Sequence, residues 1–147
     1  MKREVGFDVA KKKILIAKDV ASGAAAAPKR ILIVEDHADM RTWLGTLFKA
    51  QGYETVFASD GVTAIMAAQK ENPDIVLLDL GLPGGDGFTI IERFAGNQKL
   101  AAVPIIVLSG SDPSAHEDRA LKAGAKKFFQ KPADLKDLLA AIKELLG

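Results

Sequence analysis

Ile75-Val76-Leu77-Leu78-Asp79 places four consecutive apolar residues directly before a carboxylate. A continuous apolar run this short reads as a strand buried on both faces, and such strands belong to parallel sheets lying between helices. Pro73, just ahead of it, separates the run from what precedes. Two further runs share its character. Ile31-Leu32-Ile33-Val34 ends in Glu35-Asp36, and Ile105-Ile106-Val107-Leu108, opened by Pro104, ends in Ser109. Tyr53-Glu54-Thr55-Val56-Phe57-Ala58 and the short Lys127-Phe128-Phe129, which leads to Lys131, complete a set of five strands.

The intervals between these strands carry helical periodicity. Trp43, Leu44, Leu47 and Phe48 recur at spacings of three and four, and Gln51-Gly52 supplies a stop. Helices are also expected over 62–70, 88–94 and 114–123, the last ending at Gly124. Asp134 caps a final helix carrying Leu135, Leu138, Leu139, Ile142, Leu145 and Leu146. Five strands alternating with five helices imply an α/β fold, a doubly wound parallel sheet covered on both faces. Its functional crevice lies beyond the carboxyl ends of the strands.

At those ends stand the carboxylates of Glu35, Asp36 and Asp79, the hydroxyl of Ser109 and the amine of Lys131. Each alone is an ordinary turn, cap or surface residue. Gathered together, the carboxylates repel one another, and a fold keeps such a cluster when a cation compensates it. Oxygen donors select a hard ion such as Mg²⁺ or Ca²⁺, and Mg²⁺ suits phosphoryl chemistry because it shares its shell with water and phosphate oxygens. An aspartate can itself be the nucleophile, forming an aspartyl phosphate, with positioning and charge neutralisation doing most of the work. His37 adjoins the acidic loop but is expected to be a solvated residue at a helix start. His116 is expected on an exposed turn of the fourth helix.

The stretch Val76-Leu77-Leu78-Asp79-Leu80-Gly81-Leu82-Pro83-Gly84-Gly85-Asp86-Gly87 resembles the receiver domain of two-component response regulators. So do Ile31-Leu32-Ile33-Val34-Glu35-Asp36, the serine after a strand, and Phe128-Phe129-Gln130-Lys131-Pro132. The resemblance spans residues 29–147 and implies a flavodoxin-like sheet of order 2-1-3-4-5. It further implies that Glu35, Asp36, Asp79 and the carbonyl of Gly81 hold Mg²⁺, with Mn²⁺ or Ca²⁺ as substitutes. Asp79 would be phosphorylated by a histidine kinase or histidine phosphotransfer protein, while Ser109 and Lys131 bind the phosphoryl group. Phe128 would switch together with Ser109, and the bond before Pro132 would be cis. Catalysis would be confined to the domain's own phosphoryl transfer and dephosphorylation, with no cofactor besides the metal. Output would pass to an unidentified protein partner through the surface of the fourth helix, fifth strand and fifth helix. The domain would be a monomer or a phosphorylation-dependent dimer.

Two departures matter. Glu35 stands where an aspartate is more usual and lengthens the reach to the metal. Gly81 stands where relatives often carry a larger residue, so water should reach the acyl phosphate easily and the phosphoaspartate should be short-lived.

The bulk properties agree. A chain of 147 residues, 48% hydrophobic, fits one domain, and a net charge of +1 points to neither nucleic acid nor membrane surfaces. Absence of cysteine excludes disulfides and thiolate chemistry, and no apolar run approaches the ~20 residues of a membrane helix. A cytoplasmic single-domain regulator without an output domain is expected. Residues 1–28 form a basic, then alanine-rich extension of unknown role, in which Lys12-Lys13-Ile14-Leu15-Ile16-Ala17-Lys18-Asp19 echoes residues 29–36. A flavin module is disfavoured because Glu35 and Asp36 repel a phosphate, and an aspartate-based phosphatase because no second acid follows Asp79 closely. A degenerate receiver acting by phosphorylation-independent protein binding remains the alternative.

Overall fold

The computed structural model describes residues 27–81, 87–110 and 113–147, the side chains of 113–115 excepted. Most of the N-terminal extension, including residues 12–19, lies outside them, as do residues 82–86 of the glycine-rich loop. The strands are β1 (Arg30–Val34), β2 (Glu54–Ala58), β3 (Ile75–Asp79), β4 (Ile105–Ser109) and β5 (Lys127–Gln130). The helices are α1 (Ala38–Ala50), α2 (Gly61–Glu71), α3 (Gly87–Ala95), α4 (Pro113–Ala123) and α5 (Leu135–Leu146). All strand pairs are parallel, in the order β2-β1-β3-β4-β5. The chain reverses its direction across the sheet between β1 and β3, which opens the crevice of this topology.

The unbroken apolar runs have a direct cause in the packing. Alternate residues of each central strand feed two separate cores. Leu32, Val34, Val76, Leu78, Ile105 and Val107 pack with Ala64 and Ala68 of α2, Phe88, Ile91 and Phe94 of α3 and Ala120 of α4. Ile31, Ile33, Ile75, Leu77, Ile106 and Leu108 pack with Leu44 and Phe48 of α1 and Leu138, Ala141 and Ile142 of α5. Each apolar side chain fully buried in this way contributes about 1.5–3 kcal/mol relative to exposure.

Local chemistry fixes the helix ends. Asp60 forms a capping box with Thr63, its Oδ1 accepting the Thr63 N–H at 2.8 Å. At the end of α1 the Tyr53 N–H donates to Phe48 O at 3.1 Å and the Gly52 N–H to Lys49 O at 3.0 Å. Gly52 adopts φ +92°, and the Phe48 and Tyr53 rings meet edge-on at 6.5 Å. This is a Schellman cap with its apolar contact. Tyr53, expected as the first residue of a strand, therefore belongs to the helix stop, and β2 begins at Glu54.

Trp43 is a second departure. It shares the helical spacing of Leu44, Leu47 and Phe48, yet it is 55% exposed, while Leu44 and Phe48 are buried over the sheet with Met40 and Leu47 packed against the same core. It lines a shallow apolar cavity with Met40, Leu138 and Pro132 instead. Among the described residues, no helix is long and apolar enough to cross a membrane.

Candidate functional site

Asp79 and Ser109 are the last residues of β3 and β4, one position beyond the expected ends of the apolar runs. Asp79 sits opposite Leu108 in the register, and its own strand neighbours fill both cores. Its backbone is thereby fixed by the sheet rather than by a loop. Glu35 and Asp36 follow β1, and the Glu35 N–H extends the β1–β2 ladder by donating to Ala58 O at 3.0 Å.

These strand ends converge. Lys131 Nζ stands 3.2 Å from Asp79 Oδ2 and 3.3 Å from Glu35 Oε1. Glu35, Asp79 and Ser109 are 2%, 7% and 3% exposed, so two buried carboxylates share one ammonium. Burial opposes the charge on Lys131, but the Asp79 and Glu35 carboxylates outweigh it and hold the ammonium above its ordinary pKa. The Lys131 N–H donates to Ser109 O at 2.8 Å, tying the amine to the end of β4, and the Lys131–Pro132 peptide bond is cis.

On the other side of Asp79, the Gly81 N–H donates to Oδ1 at 3.0 Å. A Cβ at Gly81 would stand only 3.6 Å from that same oxygen. Phe128 pairs with Val107 two rungs before Ser109, and packs half-buried against the core on the α2–α4 side.

Two residues beyond this set also shape the pocket. Arg41, on the first turn of α1, donates from one guanidinium nitrogen to Glu35 O at 2.8 Å and Asp36 O at 3.1 Å, pinning the acidic loop. His37 is at the start of α1 and its side chain is 76% exposed, as expected of a helix-start residue. Its ring nonetheless turns back to the acids, with Nδ1 3.0 Å from Glu35 Oε2 and 3.3 Å from Asp36 Oδ1. The hydrogen bond to Glu35 and the charges of Asp36 and Glu35 raise its pKa above the ordinary histidine value. His116 lies on α4, partly buried, with its ring 5.7 Å from that of Phe88.

The donor set fits a cation. One ligand atom each from Glu35, Asp36, His37 and Asp79 fall within 4.8 Å of one another. Asp36 Oδ1 is buried and accepts no hydrogen bond from the described residues, its contact with His37 being ionic only. A buried carboxylate oxygen in that condition is costly unless a positive charge completes its surroundings.

Residues 31–143 match the family model described as the response regulator receiver domain. Sporulation initiation phosphotransferase F of Bacillus subtilis is 36% identical over 118 residues, covering 80% of this chain and 94% of that protein. Transcriptional regulatory protein PdtaR of Mycobacterium tuberculosis is 36% identical over 120 residues, covering 81% of this chain and 57% of that protein. The chain thus spans little more than half the length of that second relative. Among solved structures, a CheY-like response regulator receiver domain protein from Methanospirillum hungatei superposes with a TM-score of 0.75 at 28% identity, covering 81% of this chain and 94% of that one. The BeF3-activated N-terminal receiver domain of Klebsiella pneumoniae RstA gives 0.75 at 29% identity, covering 80% and 98%. Sheet order, strand-end chemistry and sequence therefore agree: this chain belongs to the response regulator receiver domain family, signalling modules of two-component systems that are phosphorylated by histidine kinases or phosphotransfer proteins.

Proposed function

We propose that this receiver is a metal-dependent phosphoacceptor whose aspartyl phosphate forms on Asp79. The observation that carries this reading is the position of Lys131 Nζ, within 3.3 Å of both Asp79 and Glu35 at the carboxyl ends of the strands. A carboxylate oxygen of Asp79 attacks the phosphorus of a phosphohistidine on a histidine kinase or histidine phosphotransfer protein. The new P–O bond replaces the P–N bond, and the donor imidazole leaves and takes up a proton. Lys131 offsets the charge on the arriving phosphoryl oxygens, and the Ser109 hydroxyl donates a hydrogen bond to them. Glu35, Asp36, Asp79 and the carbonyl of Gly81 would hold Mg²⁺, for which Mn²⁺ or Ca²⁺ can substitute, and the ion supplies further charge neutralisation.

Movement of Ser109 toward the phosphoryl group, accompanied by Phe128, biases a pre-existing equilibrium at the α4–β5–α5 surface toward binding an output protein. The module works as a monomer or a phosphorylation-dependent dimer, and the only chemistry it performs is its own phosphorylation and dephosphorylation. Incubation with acetyl phosphate and Mg²⁺, followed by intact mass measurement, tests the proposal. One phosphoryl increment is expected, absent for Asp79→Asn and absent without metal. No increment, together with no trapped beryllium fluoride complex, would instead indicate a degenerate receiver that binds partners without phosphorylation.

A further inference from the structure

We propose that His37 is a nitrogen ligand of the acidic pocket, moving its ion preference from Mg²⁺ toward divalent ions that accept imidazole, Zn²⁺ foremost. The inference rests on the reading of Glu35, Asp36 and Asp79 as a cation-holding set.

His37 occupies the N-cap position of α1, yet its side chain makes no capping hydrogen bond. Its backbone is extended there, with φ −83° and ψ 118°. The backbone N–H turns to Glu35 Oε2 at 3.2 Å and the ring Nδ1 to the same oxygen at 3.0 Å. The second acid, Asp36 Oδ1, lies 3.3 Å from Nδ1. These separations are those of neighbouring ligands on one ion: donors about 2.1 Å from an octahedral centre stand about 3 Å apart. The fourth donor, from Asp79, completes a group within 4.8 Å. The buried Asp36 Oδ1, without a hydrogen bond among the described residues, faces the same imidazole nitrogen.

Exposure of the ring favours this role. One face remains in water, so recruiting Nδ1 costs little desolvation and leaves coordination positions open for water or phosphoryl oxygens. The consequence for selectivity follows from ligand chemistry. Mg²⁺ gains little from imidazole, whereas Zn²⁺ and the later first-row ions bind it well, with Mn²⁺ weakest among them. A competing role for the ring is that of a fixed positive charge that shields the acids. In that case the ring would weaken every cation alike.

Calorimetric titration of the phosphate-free protein with Mg²⁺, Mn²⁺ and Zn²⁺ separates the two. The starting protein carries His116→Ala, which removes the only other imidazole, and the chain has no cysteine to bind zinc. Adding His37→Ala is expected to weaken Zn²⁺ by about tenfold or more while changing Mg²⁺ by no more than about twofold, with Mn²⁺ between. Zn²⁺ should also displace the His37 Nδ1 nitrogen resonance in the protein that retains the ring. Affinities that change in the same proportion for all three ions, in either direction, overturn the proposal. Asp36→Asn provides the separate check on its foundation. Loss of all three ions with Asp36→Asn but no selectivity change with His37→Ala rejects the histidine alone. Retention of all three with Asp36→Asn rejects the acidic pocket as the cation site.

Discussion

Lys131 and Asp79, brought together from β3 and from the segment after β5, are joined by an ion pair of 3.2 Å, and the same ammonium serves Glu35. Lys131 is thus a cation shared by two buried carboxylates. Removing it as Lys131→Ala leaves both acids without that partner. Because the ammonium is a quarter exposed, the expected cost is discounted to about 1–2 kcal/mol in metal-free buffer. Urea unfolding should show this loss, and saturating Mg²⁺ should recover more stability in the variant than in the parent protein. Equal Mg²⁺ gains in both would mean that ion and lysine do not share the same charges.

The His37 ring gives a pH-dependent signature. Its pKa is raised above the ordinary histidine value, first by the hydrogen bond to Glu35 and then by the charges of Asp36 and Glu35. A raised folded-state value means the contribution to stability is complete below the unfolded value and is lost as pH rises through the folded one. The exposed position of the ring keeps that contribution small. An NMR titration of metal-free protein should place the His37 midpoint above that of an unstructured histidine. Glu35→Gln should bring it down, and an unchanged midpoint would dissociate the shift from Glu35.

A Cβ at Gly81 would stand 3.6 Å from Asp79 Oδ1, in ordinary contact, so a longer side chain there is expected to cover that oxygen. Gly81→Met should shield the acyl phosphate from water and lengthen its lifetime several-fold. Decay of the phosphorylated protein, followed by mass after removal of acetyl phosphate, measures this directly. A lifetime no longer than that of the parent would remove solvent access at Gly81 as a determinant.

Gly52 offers a test of the fold independent of the site. No atom lies within 4 Å of a Cβ built there, so a substitution meets only the backbone requirement of φ +92°. Gly52→Ala should cost about 1 kcal/mol and lower the melting temperature by a few degrees without affecting phosphorylation. A neutral result would show that the α1 stop does not depend on the left-handed conformation.

How much of this was legible in the sequence depends on whether a feature is local. Ile31–Val34, Ile75–Leu78 and Ile105–Leu108 announce themselves because both faces of each strand enter a core, so no polar residue interrupts them. The acids, serine and lysine follow because the fold puts its crevice at the ends of those runs. Tyr53 was misplaced because a β-prone aromatic also serves as the apolar partner of a Schellman cap. Trp43 shares the helical spacing of Leu44, Leu47 and Phe48 but not their burial, because spacing alone does not say which edge of an apolar stripe meets the sheet. Arg41 and the inward turn of His37 depend on how the first turn of α1 lies over the acidic loop. That orientation is a tertiary result with no short-range pattern, although an arginine one turn into the helix after an acidic loop is a signal worth reading.

The hydrogen bond from the Lys131 N–H to Ser109 O has a consequence for what variation the domain tolerates. It makes the hydroxyl-bearing and amine-bearing residues two ends of one rung, so neither can be repositioned without carrying the other. An inserted residue between Gln130 and Lys131 would therefore do more than lengthen a surface connection. It would break the rung and let the ammonium drift from Asp79, while the pairing of β5 with β4 up to Gln130 stayed in place. Length in that short segment is constrained by the geometry of one peptide group, while neighbouring exposed side chains remain free to change.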